Sequence, residues 1–447
     1  MFQALRVYKD KRLISVFLFG VASGFPWLMI GSVMSAWLKD EGLSRSAIGL
    51  FGSIFSVYAV NFLWSPLLDR VRLPWLGQRR GWIITMQAGI GLCCLYMATL
   101  NVQTQLFYMA LTGLILAVFS ATQDIAIDAY RIDIIREEEK DKLSAASSLA
   151  TAGWWTGYGG LGAIPFFLAD SSNWYWPQIY FLLGGFMLVL MAATIWAKEP
   201  LIDRTVVQGA AEKRFAQAIS GNKGKAGFGA NVMSWMVVTV AEPFREFFQR
   251  NGVRLALSVL LFIFLFKLGE AFLGRMSIVF YKEVGFSNSD IGSLSKLLNW
   301  WVTIVFSIIG GLVNIRYGIY RGLMIAGIAM ASSNLMFAWM AQTGPDKMLF
   351  AATVIVDGFT AAWSSVAMVA FISLLCNRAF SATQYALMAS LSVAGRNLLA
   401  SGSGVIVDYL GGNWSAFFIL TAVMVIPSLL FLRTIKQDII RAEKRSY

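Results

Sequence analysis

The sequence predicts an all-α membrane protein whose twelve transmembrane helices form two pseudo-symmetric halves of six. Composition comes first: of 447 residues, 57% are hydrophobic and 14% charged, and the mean hydropathy of +0.63 lies beyond what a soluble core absorbs. Apolar runs of ~20 residues or more, the length that crosses ~30 Å of hydrocarbon, recur along the whole chain. Basic residues, finally, cluster in alternate connections between those runs.

The first run, about 12–38, follows Arg6, Lys9, Lys11 and Arg12. It is longer than a signal-peptide core and lacks a small-residue cleavage site, so it is read as a retained span. Gly20, Ser23, Gly24 and Pro26 inside it would bend it and free backbone groups for neighbours or ligand to satisfy. Runs at about 46–68, 81–100, 104–130, 143–169 and 175–197 complete the N-terminal half, residues 1–197. The second half, 254–434, holds runs at about 254–281, 287–314, 319–342, 346–376, 382–408 and 413–433, and a tail follows at 435–447.

Between the halves lies a polar linker, 198–253. It contains a Gly- and Lys-rich stretch beginning at Ser220, then Asn231–Arg250, whose apolar residues suit an interfacial helix as well as a loose connector.

The net charge of +12 comes from short basic clusters. These fall at the N-terminus, at Arg70, Arg72, Arg79 and Arg80, in Arg131–Lys142, in the linker, at Arg316, Arg321 and Arg378, and in the tail. They read as topology determinants, with both termini and the linker cytoplasmic, and not as a nucleic-acid footprint. Cys93, Cys94 and Cys376 sit in or beside apolar runs, and the chain has no histidine and no Cys-x-x-Cys. No zinc site or disulfide framework, and so no metal, is expected.

Ionisable residues near mid-span are Asp124, Asp128, Lys267, Glu270, Lys296, Asp357 and Arg396. Each costs roughly 2.5–3.5 kcal/mol at a bilayer centre, so they are expected to pair, bind substrate or line water. Lys267 and Glu270, three apart, suit a local pair. Asp124 and Asp128 share one helical face with no base on their helix before Arg131. Without histidine, any coupled proton must ride on carboxylates such as these, Glu270 or Asp357; a structural ion pair to Lys296 or Arg396 is the alternative. Trp154 and Trp155, flanked by Gly153, Gly157, Gly159 and Gly160, offer flat faces for sugar stacking or mark close helix packing.

Six plus six around a cytoplasmic linker is the layout of a major facilitator, with substrate held at the midplane between halves. Asp69, Arg70, Arg79 and Arg80 lie in a loop that looks like a stretched form of the facilitator pattern Gly-x-x-x-Asp-Arg-x-Gly-Arg-Arg. Such a loop would act as a latch, Asp69 being held near a helix N-terminus or a basic partner across the halves. Arg79 and Arg80 would also anchor topology under any architecture. A fainter counterpart, Gly311–Arg321, follows the eighth span.

Within that superfamily the sequence resembles the AmpG muropeptide permeases. The resemblance rests on Ala22–Pro26, Phe62–Arg70, Gly77–Trp82, Ser120–Ile125 with Asp128-Ala129, Lys267–Phe272, Lys296, Leu375–Asn377, Phe380–Gln384 and Arg396. It implies import of anhydro-muropeptides (N-acetylglucosamine joined to 1,6-anhydro-N-acetylmuramic acid, with or without a stem peptide) from periplasm to cytoplasm. The implied setting is peptidoglycan recycling and β-lactamase induction, driven by the proton motive force without a cofactor, in a monomer of the bacterial inner membrane surrounded by lipid. Asp357 stands where relatives carry Glu, and the block around Gln123-Asp124-Ile125 is shared with acetyl-coenzyme A transporters.

Under this reading Lys267, Lys296 and Arg396 hold stem-peptide carboxylates. Gln123, Asp124 and Asp128 bond sugar hydroxyls or take the proton. An acetyl-coenzyme A or other organic-anion carrier is the alternative. An enzyme is not expected, because the acids sit mid-span and no histidine or metal cluster accompanies them.

Overall fold

The computed structural model describes residues 7–43, 51–74, 76–135, 139–169, 173–200, 242–286, 290–400 and 402–444. Eight helices among them are long and apolar enough to cross a membrane. In the first half these are the first span Arg12–Leu38, the fourth Leu106–Ile134 and the sixth Trp176–Trp196. In the second half they are the seventh Val253–Ser277, the eighth Ser293–Tyr317, the ninth Ile319–Thr343, the tenth Lys347–Leu375 and the twelfth Trp414–Thr434.

The other four expected crossings are helical but interrupted or more polar. The second, from Gly52 to Arg70, alternates short 3-10 and α segments. The third, Gln78–Met97, carries Arg79 and Arg80 in its first turn. The fifth runs Lys140–Trp155, relaxes into a π-helical turn at Thr156–Gly160 and resumes at Ile164–Ala169. The eleventh consists of Ser381–Ala400 and Ser403–Tyr409. Each half buries an aliphatic and aromatic core, and the cores interlock where Ala382 and Ala386 join that of the first half and Ile132 that of the second.

Glycine sets the closest helix approach. Added Cβ atoms at Gly24 and Gly157 would lie 2.1 Å from the Trp154 carbonyl oxygen and 2.3 Å from that of Val21, so the first and fifth spans meet backbone to backbone. Packing is therefore what Gly153 and Gly157 do. A single residue, Gly318 at φ +83°, joins the eighth span to the ninth, a conformation that a side chain would strain.

The two spans with chemistry at their centres are also irregular. Pro26 is followed by a π-helical turn at Met29–Val33, a local response to the missing N–H. The seventh span breaks at Lys267 between Val253–Phe266 and Leu268–Val284. Of the expected interfacial helix, 231–241 lies outside the described residues. The described part, 242–251, is helical and turns inward: Phe247 is buried, and Glu246 accepts bonds from Asn377 Nδ2 (2.8 Å) and Gln384 Nε2 (2.6 Å). It seals one end of the second half, called here the linker end.

Candidate functional site

At the centre of the first half, geometry starts from a missing donor. Pro26 has no N–H, which leaves the carbonyl of Ala22, four residues earlier, without its helical partner. Gln123 of the fourth span supplies the bond, Nε2 to Ala22 O at 2.6 Å. Gln123 is completely buried, so its amide fixes the fourth span against the bend in the first and sets the position of the next residue, Asp124.

Asp124 accepts from Ser23 Oγ (2.7 Å) and Trp27 Nε1 (3.3 Å), both on the first span. Among the described residues it has no ion-pair partner. Asp128 differs: it pairs with Arg131 one turn along at 2.9 Å. That guanidinium lies 4.9 Å from the ring centroid of Tyr385 on the eleventh span. The two acids share a helical face but not an environment, one capped by neutral donors and the other tied to a cation.

Beside Asp124 lies a group of aromatic rings. Trp27 sits 4.3 Å from Tyr58, 4.9 Å from Phe55 and 5.9 Å from Trp154. Trp154 stacks on Tyr158 at 5.0 Å and meets Trp155 edge-on at 5.4 Å. Trp155 in turn faces a cavity of about 520 Å³ in the second half.

That cavity is polar and lies away from the linker end. Glu270, Arg275, Asn299, Asp357 and Ser365 line it. Lys267, at the break in the seventh span, donates to Glu270 Oε2 (2.6 Å), Ser365 Oγ (2.8 Å) and the Ala361 carbonyl (3.3 Å). Asp357 accepts from Ser333 Oγ at 3.0 Å. Trp300 of the eighth span packs on Gly159 and Gly160, where added Cβ atoms would fall 2.8 and 2.6 Å from its ring, so the halves also touch beside the cavity. Lys296 lies in the π-helical segment that opens the eighth span and Arg396 in the eleventh. Their side chains lie outside the described residues.

The linker end is closed by a buried polar lock between the halves. Asp69 receives Arg79 Nη2 at 2.7 Å from its own half. From the second half it receives the backbone N–H groups of Ala382 (3.2 Å) and Thr383 (2.9 Å) and the Thr383 hydroxyl (2.8 Å). Those N–H groups are orphan donors in the first turn of the eleventh span, the positive end of its dipole. Arg79, 1% exposed, also bonds Asp133 and Ser381 at 2.7 Å each, and Ser381 Oγ donates to Asp133.

Arg80 instead ties the loop to the carbonyls of Thr194 and Ile195 on its own half. Arg70 is half-buried at the end of the second span. Near the Gly311–Arg321 counterpart, the Tyr8 hydroxyl lies against Gly311 and bonds Ser148 (2.7 Å) and the Ile308 carbonyl (3.3 Å).

Sequence reasoning missed Trp27, Asp133, Thr383 and Arg275. Trp27 directly follows Pro26, and Asp133 lies nine residues after Asp124 on the same helix. Spacing gave no sign that either would meet a partner from another span.

Comparison with known proteins agrees with this architecture. Residues 16–286 match the Major Facilitator Superfamily model. The chain is 31% identical to the anhydromuropeptide permease of Escherichia coli, across 98% of this chain and 82% of that protein. It is also 31% identical to a Rickettsia conorii protein that bears the AmpG transporter name, across 96% and 97%. Among solved structures, the proton:xylose symporter XylE superposes with a TM-score of 0.66 at 14% identity, covering 95% of this chain and 94% of that one. The human organic anion transporter MFSD10 gives 0.58 at 15%, covering 96% and 99%.

Proposed function

This chain belongs to the major facilitator superfamily and, within it, to the AmpG family of anhydromuropeptide permeases, and from that membership we propose that it imports anhydro-muropeptides by alternating access, coupled to protons. The observation that carries the reading is near-full-length similarity to a protein named for that substrate, in a chain whose halves meet at an aromatic group beside a mixed-charge cavity. A muropeptide has both kinds of surface: sugar rings with apolar faces and a peptide with charged groups.

The linker end is assigned to the cytoplasm of the bacterial inner membrane, from the distribution of basic residues. On that assignment, the state locked at this end through Asp69 and Arg79 is the one that takes substrate from the periplasm. Substrate draws the halves together over the cavity, and release of the lock opens the cytoplasmic side. Asp124 is the proposed proton carrier, because the neutral donors Ser23 and Trp27 tolerate loss of its charge better than Arg131 would at Asp128. The protein works as a monomer in lipid.

Proteoliposomes test the reading directly. Labelled anhydro-muropeptide should accumulate under an inward proton gradient, uptake should collapse with a protonophore, and excess acetyl-coenzyme A should not compete. Absence of gradient-driven accumulation would refute the assignment.

A further inference from the structure

Lys267 stands at the break in the seventh span, but its donors are spent inside the protein. The ammonium has three N–H groups, and these match Glu270, Ser365 and the Ala361 carbonyl. A ligand carboxylate entering the cavity must find another cation. Arg275 lines the same cavity about one turn beyond Glu270, and it is exposed. Among the described residues it forms no ion pair. Its planar fork of donors suits a carboxylate held through two parallel bonds.

The acids of the cavity also keep acceptor capacity. Glu270 uses Oε2 for Lys267 and Asp357 uses Oδ1 for Ser333; each keeps a second oxygen. The cavity wall therefore presents a guanidinium together with two carboxylates, complementary to a chain carrying both carboxylates and an amine. The first half presents Trp27, Trp154, Trp155 and Tyr158, with Tyr58 buried behind Trp27, and Trp27 bonds the carboxylate of Asp124. Flat rings beside a lone acceptor suit the apolar faces and hydroxyls of sugars.

We propose that the substrate site is divided between the halves: the disaccharide rests on the aromatic group of the first half, the peptide arm occupies the cavity of the second, and Arg275 holds a peptide carboxylate. The assignment rests on the muropeptide reading above and adds which surface reads which part. Trp155, touching both the aromatic group and the cavity, marks the junction.

Two substrates and three variants test it. Proteoliposomes carrying the wild-type chain, Arg275→Ala, Arg275→Lys or Trp155→Ala are given the anhydro-disaccharide alone or the same disaccharide with a tetrapeptide. Losing a charged hydrogen bond should lower uptake of the peptide-bearing substrate by Arg275→Ala roughly ten-fold or more. Disaccharide uptake should stay within about two-fold of wild type, since no contact to it is removed. Arg275→Lys keeps the charge without the fork and should fall between, while Trp155→Ala should lower both substrates. Equal loss of both substrates in Arg275→Ala, or no loss of either, overturns the division. A wild-type protein that imports neither substrate refutes the muropeptide assignment itself, an outcome distinct from either of these.

Discussion

Asp69 and Thr383, on opposite halves, are joined twice through one carboxylate oxygen, which accepts the Thr383 backbone N–H at 2.9 Å and its hydroxyl at 2.8 Å. The pair is buried, so any motion that parts the halves at the linker end must expose both groups or find them new partners. Removing one member of a buried charged network costs roughly 3–5 kcal/mol. That is enough to move a two-state equilibrium from one side to the other.

Asp69→Ala should therefore shift the population toward a form open at the linker end. Arg79 keeps Asp133, so folding should survive. Spin labels placed at the linker-end tips of the sixth and twelfth spans, near Trp196 and Thr434, should report a longer distance than in wild type. Uptake should fall about ten-fold, the equivalent of ~1.4 kcal/mol in the transport cycle. An unchanged distance distribution would show that the lock does not hold the halves together.

Gln123 and Pro26 are predicted to be coupled. Gln123→Leu leaves the Ala22 carbonyl buried without a donor, a loss of about 1–3 kcal/mol. Restoring the helical N–H with Pro26→Ala removes the need for Gln123. The double variant should thus recover most of the thermal stability lost in Gln123→Leu. Strict additivity of the two single effects in unfolding experiments would mean that the 2.6 Å bond carries no energy.

Asp124 and Asp128 should fail differently. Asp124→Asn keeps the Ser23 and Trp27 contacts within reach, and should fold normally, exchange substrate across the membrane and lose gradient-driven accumulation. Asp128→Asn leaves Arg131, 1% exposed, without its partner, and should lower thermal stability by about 3 kcal/mol. Comparing counterflow with accumulation in the same vesicles separates the two. Accumulation intact in Asp124→Asn would assign the proton elsewhere.

The architecture was legible because its causes are additive along the chain. Apolar runs appear in one dimension, and the helical architecture follows them. Asp69 stood out as a latch candidate for the same reason, because its motif is local, but its bond to Arg79 of the same half was not among the partners the sequence suggested. What escaped was anything set by the angle between spans. Asp124 and Asp128 look equivalent on a helical wheel, yet one faces the bend made by Pro26 and the other Arg131. Likewise Trp154 and Trp155 are neighbours in sequence, but only Trp155 reaches the cavity.

The N-terminal segment supplies a prediction about pH. Asp10 bonds Arg12 (2.6 Å) and Lys142 (2.8 Å), and Arg12 also reaches Glu139 and the Ile134 carbonyl, tying the chain before the first span to the region between the fourth and fifth. The Arg12 hydrogen bonds, with Lys142 adding to them, hold the Asp10 carboxyl well below the usual carboxylate range. A depressed value in the folded state means that the stabilisation is fully present above the unfolded value of ~3.9 and fades as pH falls below it. Asp10→Asn should therefore lower thermal stability by about 1 kcal/mol at every pH from ~5 to ~8, as expected of a partly exposed pair. The gap to wild type should narrow below pH ~4, where Asp10 in the unfolded chain is already protonated. Thermal unfolding in detergent across that range checks the sign. A gap that widens on acidification would mean that Asp10 is not held in its charged form.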